Sequence, residues 1–358
     1  MTDTTLFSPL TLRSVTARNR LWVAPMCQYS VEREDGVPTD WHLVHLGAFA
    51  TGGAGVVMTE AAAIVPEGRI SPQDAGMWND EQVEAWSRVT RFLREHGAVP
   101  AIQLAHAGRK ASTWRPFAEH RGTVPAERGG WQAVAPSAIA FEGYAEPRAL
   151  DRDGLPGIVE AFADAAERAV RAGFEIIELH AAHGYLLHQF LSPLSNLRDD
   201  DFGGSLENRA RLLLDTVRAV RERVDAPLLV RVSATDWAEG GWDVEQTATV
   251  AGWMRDAGVD LIDVSTGGLV AGTTIPVEPG YQVPFAERVR QASVPTSAVG
   301  LITDARQAAA VVDEGRADVV MLGRELLRDP HFPLRAAAEL GVRVDYVPAQ
   351  YGRAPFAV

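Results

Sequence analysis

One cysteine, Cys27, in 358 residues excludes an internal disulfide and any metal site built from several thiolates. No apolar run approaches the roughly 20 residues that cross a bilayer, which argues against a membrane partner. The start, Met1–Ser8, lacks the basic and apolar regions of a secretion signal, so a soluble, cytoplasmic chain is expected. Basic side chains are outnumbered: 34 Lys and Arg face 47 Asp and Glu, for a formal charge of −13. With no dense basic cluster, that balance repels a phosphate backbone and argues against nucleic acid as a partner. The glycine signatures of nucleotide folds are missing as well. "GGAG" at Gly52–Gly55 precedes a strand with the wrong spacing, and no G-x-x-x-x-G-K-[ST] occurs. A dinucleotide is therefore expected, if at all, as a transient reductant.

What is present is a repeated unit. With 46% hydrophobic and 23% charged residues there is material for a large core. Short β-branched runs recur at Leu21–Pro25, Gly55–Thr59, Val99–Leu104, Glu175–Leu179, Leu228–Val232, Leu261–Val264, Thr296–Val299 and Val319–Leu322, with helix-period segments between them. Cap residues punctuate those segments: Asn79 before the helix to Glu95, Gly173 after the one led by Pro156, Ser205 before Leu206–Val224, Asp243 before Val244–Ala257, and Thr303 before Asp304–Glu314. Strand and helix alternating eight times, with no linker, predict an α/β (β/α)8 TIM barrel in which residues 1–358 form one domain. The stretch Gly108–Leu155, rich in Gly, Pro, Arg and Trp, reads as an extended loop insertion after the third strand, lying over the carboxyl end of the barrel.

Function in such a barrel gathers past the carboxyl ends of the strands. Gly300, and Gly323 followed by Arg324, stand after the last two strands, where exposed amides and a guanidinium suit a phosphate; tight turns alone are the plainer explanation. After the fourth strand, "ELHAAHGY" presents His180 and His183, with Tyr185 beyond Gly184. Two neutral imidazoles on one carbonyl oxygen would stabilise charge growing there, and the tyrosine can protonate the adjacent carbon. A zinc reading, with Glu178, His188 or Cys27 as third ligand, suffers from an H-x-x-H spacing unlike the helical H-E-x-x-H pattern, so no metal is expected. His188, His42 and His45 read more simply as satisfied polar residues. Cys27 is either a nucleophile, for which no base is evident, or a polarisable neighbour that tunes a cofactor. Gln103 has the donor and acceptor for a flavin ring edge. Arg231, inside an apolar strand, needs an anion: a reduced flavin, an interior carboxylate such as Glu178 or Asp263, or both.

These stretches resemble the old yellow enzyme family, within it the thermophilic-like and xenobiotic reductase class of bacterial FMN-dependent ene-reductases. The resemblance runs in order through Phe7–Ser30 ("FSPLTLRSVTARNRLWVAPMCQYS"), Gln73–Val83, Ile102–Ala111 ("IQLAHAGRKA"), Ala135–Phe141, Glu178–Leu213 and Gly315–Pro330 ("GRADVVMLGRELLRDP"). It implies a non-covalent FMN with Pro25, Met26 and Ala61 around its ring and Cys27 beside it as a redox-tuning residue. Gln103 and Arg231 would hold the pyrimidine edge, and Gly300, Gly323 and Arg324 the phosphate. It further implies His180 and His183 on the substrate carbonyl, Tyr185 as proton donor, and Tyr29 as a second hydrogen-bonding wall. NADPH or NADH would reduce the flavin, and an α,β-unsaturated carbonyl compound would reoxidise it in a ping-pong cycle. A homodimer, or a homotetramer built from dimers, is implied by Arg353 in "PAQYGRAPF", the counterpart of an arginine that enters a neighbouring subunit's site. Two departures stand out: Ser112–Trp131 is longer than in short members, and the tail lacks the common acidic residue before its arginine. A hydroxy-acid oxidase, a xenobiotic or nitro-compound reductase, and a non-catalytic phosphate-binding barrel are the alternatives.

Overall fold

The computed structural model describes residues 4–354. A three-residue hairpin, β1 (Leu10–Leu12) against β2 (Val15–Ala17), precedes β3 (Leu21–Val23), α1 (Asp40–Thr51), β4 (Val56–Ala63), α2 (Asp80–Glu95) and β5 (Val99–Ala105). Two short strands, β6 (Val134–Ala135) and β7 (Arg148–Ala149), interrupt the long excursion. Then follow α3 (Leu155–Arg171), β8 (Ile176–Ala181), α4 (Leu186–Leu191), α5 (Leu206–Arg223), β9 (Leu228–Ser233), α6 (Val244–Asp256) and β10 (Leu261–Ser265). The chain continues through α7 (Val283–Arg290), β11 (Thr296–Ala298), α8 (Ala305–Asp313), β12 (Val319–Leu322), α9 (Arg324–Arg328) and α10 (Phe332–Glu339). Strands β3, β4, β5, β8, β9, β10, β11 and β12 close into a parallel barrel in that order. All eight expected strands are present. Five of them, β4, β5, β8, β9 and β10, run past their expected carboxyl ends, β3 stops at Val23 rather than Pro25, and β11 stops at Ala298 rather than Val299.

Local chemistry accounts for the helix boundaries. Asn79 accepts from the Gln82 amide while Gln82 reaches back to the Asn79 N–H, a complete capping box. Ser205 caps α5, but Asn208 returns no bond and instead accepts from Arg211. The expectation of Thr303 as cap is corrected by one residue. The Asp304 carboxylate accepts from the Gln307 amide, and an ionised cap outcompetes a hydroxyl. Gly173 takes φ +86° after α3, a conformation open to glycine at no steric cost.

Period-two alternation inside the barrel positions the site. One face of β8 carries Ile176, Glu178 and His180; of β9, Leu229, Arg231 and Ser233; of β10, Leu261, Asp263 and Ser265. Their first members join Trp22, Met58 and Met321 in an apolar inner cluster, distinct from the larger one between strands and helices. Leu12 and Ala17 of the hairpin belong to that inner cluster and close its amino end. The sequence pattern did not announce this plug, because each of its strands is three residues long. Reading up the interior, aliphatic residues give way to a charged layer and then to His180, Ser233 and Ser265 at the mouth.

Candidate active site

At one side of the mouth, a cavity of about 130 Å³ is lined by Arg231, Ser265, Gly300, Thr303, Gly323 and Arg324. Gly300 sits at φ +123°, where a Cβ would also press on Gln282 at 2.9 Å. A Cβ on Gly323 would meet nothing of the protein nearer than Met26 Sδ at 3.6 Å, so the room beside it belongs to the cavity. Arg231 is fastened from behind: its Nε lies 2.9 Å from Asp263 Oδ2, and Ser297 Oγ donates to Asp263 Oδ1 at 2.5 Å. Its two Nη groups have no partner among the described residues, and Arg324 has no hydrogen bond or ion pair there either. The free Nη groups of Arg231 and the guanidinium of Arg324 on one small cavity favour an occupant with electron-rich or anionic groups on these sides. A phosphate at the glycine side and the electron-rich edge of a flavin at Arg231 match that character, so the residues fit FMN. The interior ion pair expected for Arg231 and its orientation toward the mouth thus coexist, with Asp263 as the carboxylate.

Pro25 through Ser30, just past β3, are all half-buried at the end of a buried strand. The Cys27 thiol accepts from the Ala61 amide and from the Tyr29 hydroxyl. Burial, then the nearby Asp74 and Glu60, pushes that thiol up, so it stays protonated, which disfavours the nucleophilic-thiolate reading. Tyr29 is held at φ +52° because Glu60 Oε2 accepts from the amides of Gln28 (2.9 Å) and Tyr29 (3.4 Å). The other oxygen of Glu60 lies 2.9 Å from His42 Nε2.

His180 and His183 meet edge to face, with centroids 5.1 Å apart. His180 Nε2 and His183 Nδ1 are separated by 3.4 Å, close enough for one oxygen to lie within hydrogen-bonding distance of both. His183 reaches this position through φ +57°, pinned by its amide on Ser233 Oγ (2.9 Å) and by Lys110 Nζ on its carbonyl (2.9 Å). Lys110 also donates to Gly268 O, tying this loop to the one after β10. Gly184 is obligatory, since at φ +72° its Cβ would sit 2.3 Å from Gly268 O. Burial, followed by the charge of Arg231, holds both imidazoles well below their ordinary range, so both are neutral at pH 7. Burial also brings Lys110 down to about 7. Tyr185 stands edge-on to His180 at 4.8 Å, and burial raises its hydroxyl well above the ordinary phenol. Tyr185, Tyr29, Cys27 and Trp131 pack around Ile70, Ala107 and Ala111, so the excursion packs against side chains expected at the site, although none of its residues lines the cavity beside Arg231.

Among the remaining expected residues, Ala61 pairs with Gln103 across β4 and β5 beyond a register shift, and Gln103 spends one donor on Glu178 Oε1 at 2.8 Å. Arg353 is exposed in the turn after Tyr351, with no hydrogen bond or ion pair among the described residues, and Pro355 and Phe356 of its motif lie outside them. Sequence reasoning missed Lys110, Glu60 and Ser265 as contributors. All three had a signal, a polar side chain at or a few residues past a strand's expected carboxyl end: Glu60 directly follows Thr59, Ser265 directly follows Val264, and Lys110 lies five residues beyond Ala105.

Comparison with known proteins gives the family and supports the fold. The profile of the NADH:flavin oxidoreductase / NADH oxidase family matches residues 5–342. The chain is 50% identical over 351 residues to an NADPH dehydrogenase of Listeria innocua, covering 98% of each, and 47% identical over 353 residues to one of Geobacillus thermodenitrificans, again covering 98% of each. Among solved structures it is similar to morphinone reductase, at TM-score 0.78 and 32% identity, over 96% of this chain and 91% of that one. The old yellow enzyme homologue from Zymomonas mobilis gives TM-score 0.76 and 29% identity, over 95% and 94%.

Proposed function

The chain belongs to the NADH:flavin oxidoreductase / NADH oxidase family, and from that premise we propose that it reduces the activated C=C bond of α,β-unsaturated carbonyl compounds. It is an FMN-dependent oxidoreductase with NAD(P)H as reductant. FMN, when bound, relays a hydride from NAD(P)H to an electron-poor carbon. Gly300, Gly323 and Arg324 would hold its phosphate, Gln103 and Arg231 its pyrimidine edge, and Pro25, Met26 and Ala61 would border its ring. Cys27, protonated and already hydrogen-bonded, would tune the ring without reacting.

The observation that carries the proposal is the 3.4 Å approach of His180 Nε2 and His183 Nδ1. A carbonyl oxygen between them gains two fixed donors in a site with little water, and these count most when negative charge develops on that oxygen. Tyr185 keeps its proton at neutral pH and stands next to His180, where it can give that proton to the α-carbon, and Tyr29, turned toward Cys27, would form a second aromatic wall. Arg353, without a hydrogen bond or ion pair among the described residues, would complete the site of a second copy in a dimer. The test is anaerobic stopped-flow on the FMN-loaded protein. NADPH should bleach the flavin band and cyclohexenone should restore it; restoration by oxygen alone, with enones inert, removes the proposal.

A further inference from the structure

We propose that Glu60 and Arg115 are positioning residues that grip Tyr29 by its amide and its carbonyl, so that the excursion after β5 sets one wall of the substrate site. The inference rests on the enone reading above and concerns what holds that wall. Tyr29 takes φ +52°, a conformation that a bulky residue keeps only where its surroundings impose it. Its amide lies 3.4 Å from Glu60 Oε2, which also accepts from the Gln28 amide at 2.9 Å. By strand alternation Glu60 would follow Val56 and Met58 into the barrel. The register shift between Met58 and Ala61 breaks that alternation, and the side chain reaches His42 of α1 instead. His42 Nδ1 accepts from the Thr39 amide at 2.9 Å, so the N–H of the ring is on Nε2, 2.9 Å from Glu60 Oε1. Three donors therefore converge on one side chain. A carboxylate meets them all, whereas a glutamine would offer one oxygen and turn an NH2 on the rest.

The carbonyl of Tyr29 is held from the other side. Arg115 Nη1 donates to it at 3.2 Å and to Glu32 Oε1 at 2.6 Å, so one nitrogen serves both the turn and the carboxylate that fixes the guanidinium. That guanidinium lies over the Phe117 ring, 4.9 Å from its centroid, and Phe117 meets the Tyr29 ring edge-on at 6.4 Å. The excursion thus touches Tyr29 twice, at backbone and at ring. Its root is tied down: the Thr113 amide donates to Ile70 O at 2.8 Å, the Val124 amide to Ser112 O at 2.7 Å, and the Trp131 amide to Ser112 Oγ at 2.8 Å. Ile70 packs with Tyr29 and Tyr185, so the same anchor carries the wall and the tyrosine across from it. Tyr29, Glu60, Arg115 and Phe117 all stand clear of the cavity assigned to FMN, so the grip uses no bond that the cofactor would replace.

The experiment is amide hydrogen exchange of Gln28 and Tyr29 in FMN-loaded protein, joined to a titration with phenol followed in the flavin band. Arg115→Ala, at a partly exposed position, should speed exchange of both amides about tenfold and weaken phenol about fivefold, the scale of one lost hydrogen bond. Arg115→Lys, which keeps a charged donor, should restore most of both. Glu60→Gln should speed the same exchange; if that variant does not fold, the Arg115 variants decide alone. In a Tyr29→Ala background, Arg115→Ala should change phenol affinity by less than about twofold, because nothing is left for it to position. Unchanged exchange in Arg115→Ala, or a phenol affinity that falls equally in both backgrounds or in neither, overturns the inference. Enone turnover by the parent enzyme separates the two claims: an active enzyme with unchanged exchange sinks this inference alone, and an enzyme inert to enones sinks the proposed function.

Discussion

Two kinds of histidine lie within a few residues of each other, and the difference between them separates scaffold from site. His188 places Nε2 3.0 Å from Asp236 Oδ1 and accepts the Gly184 amide on Nδ1, while Asp236 also takes Ser192 Oγ and the Trp242 amide. His42 is paired in the same manner with Glu60. His180 and His183 have no carboxylate partner and instead face the Arg231 guanidinium, which opposes a second positive charge. A carboxylate fixes a ring and consumes its donor; its absence leaves neutral rings whose donors remain for a ligand. The first kind fixes the turn at Gly184 so that the second kind can converge.

The sharpest way to break this comparison is Asp236→Ala. Ser192, Trp242 and His188 would each lose a buried acceptor, and a cost of about 4 kcal/mol in urea unfolding is expected. A loss below about 1 kcal/mol would mean that the pair fastens nothing. Next, His180→Ala with His183→Ala should slow flavin reoxidation by enone about 10²–10³-fold, read in single-turnover stopped-flow, with the fold retained in circular dichroism. The remaining test is in the pH dependence of stability. Because the folded protein holds both rings below their unfolded value, the unfolded chain takes up protons first as the pH falls through about 6.5. Stability is then lost on acidification, by at most about 1.4 kcal/mol per pH unit for each ring. Urea midpoints between pH 7 and pH 5 should fall less steeply in the double alanine variant; equal slopes would show that these rings are not held neutral.

Much of this was legible without coordinates. The inward alternation in "ELH", "VRVS" and "LIDVS" follows from strand geometry, and polar residues at strand ends pointed to the mouth. Reading His188 and His42 as satisfied agrees with their carboxylate partners, whereas His45, read the same way, packs on Trp41 and Phe49 with no ion pair among the described residues. What could not be read is which distant groups meet. Glu60 holds the amides of Gln28 and Tyr29 from more than thirty positions away, and Lys110 reaches the carbonyl of His183 from 73 away. No local pattern carries such pairings, because barrel closure creates them.

The sequence by itself determined the alternation of strand and helix, the caps, and the residue types available at the mouth, because each of these depends on neighbours within a turn or two of chain. The tertiary structure alone decided that Asp263 backs Arg231, that Ser265 meets His183, and that two imidazole nitrogens stand 3.4 Å apart. Register between parallel strands fixes those distances, and register is a property of the closed sheet rather than of any one segment.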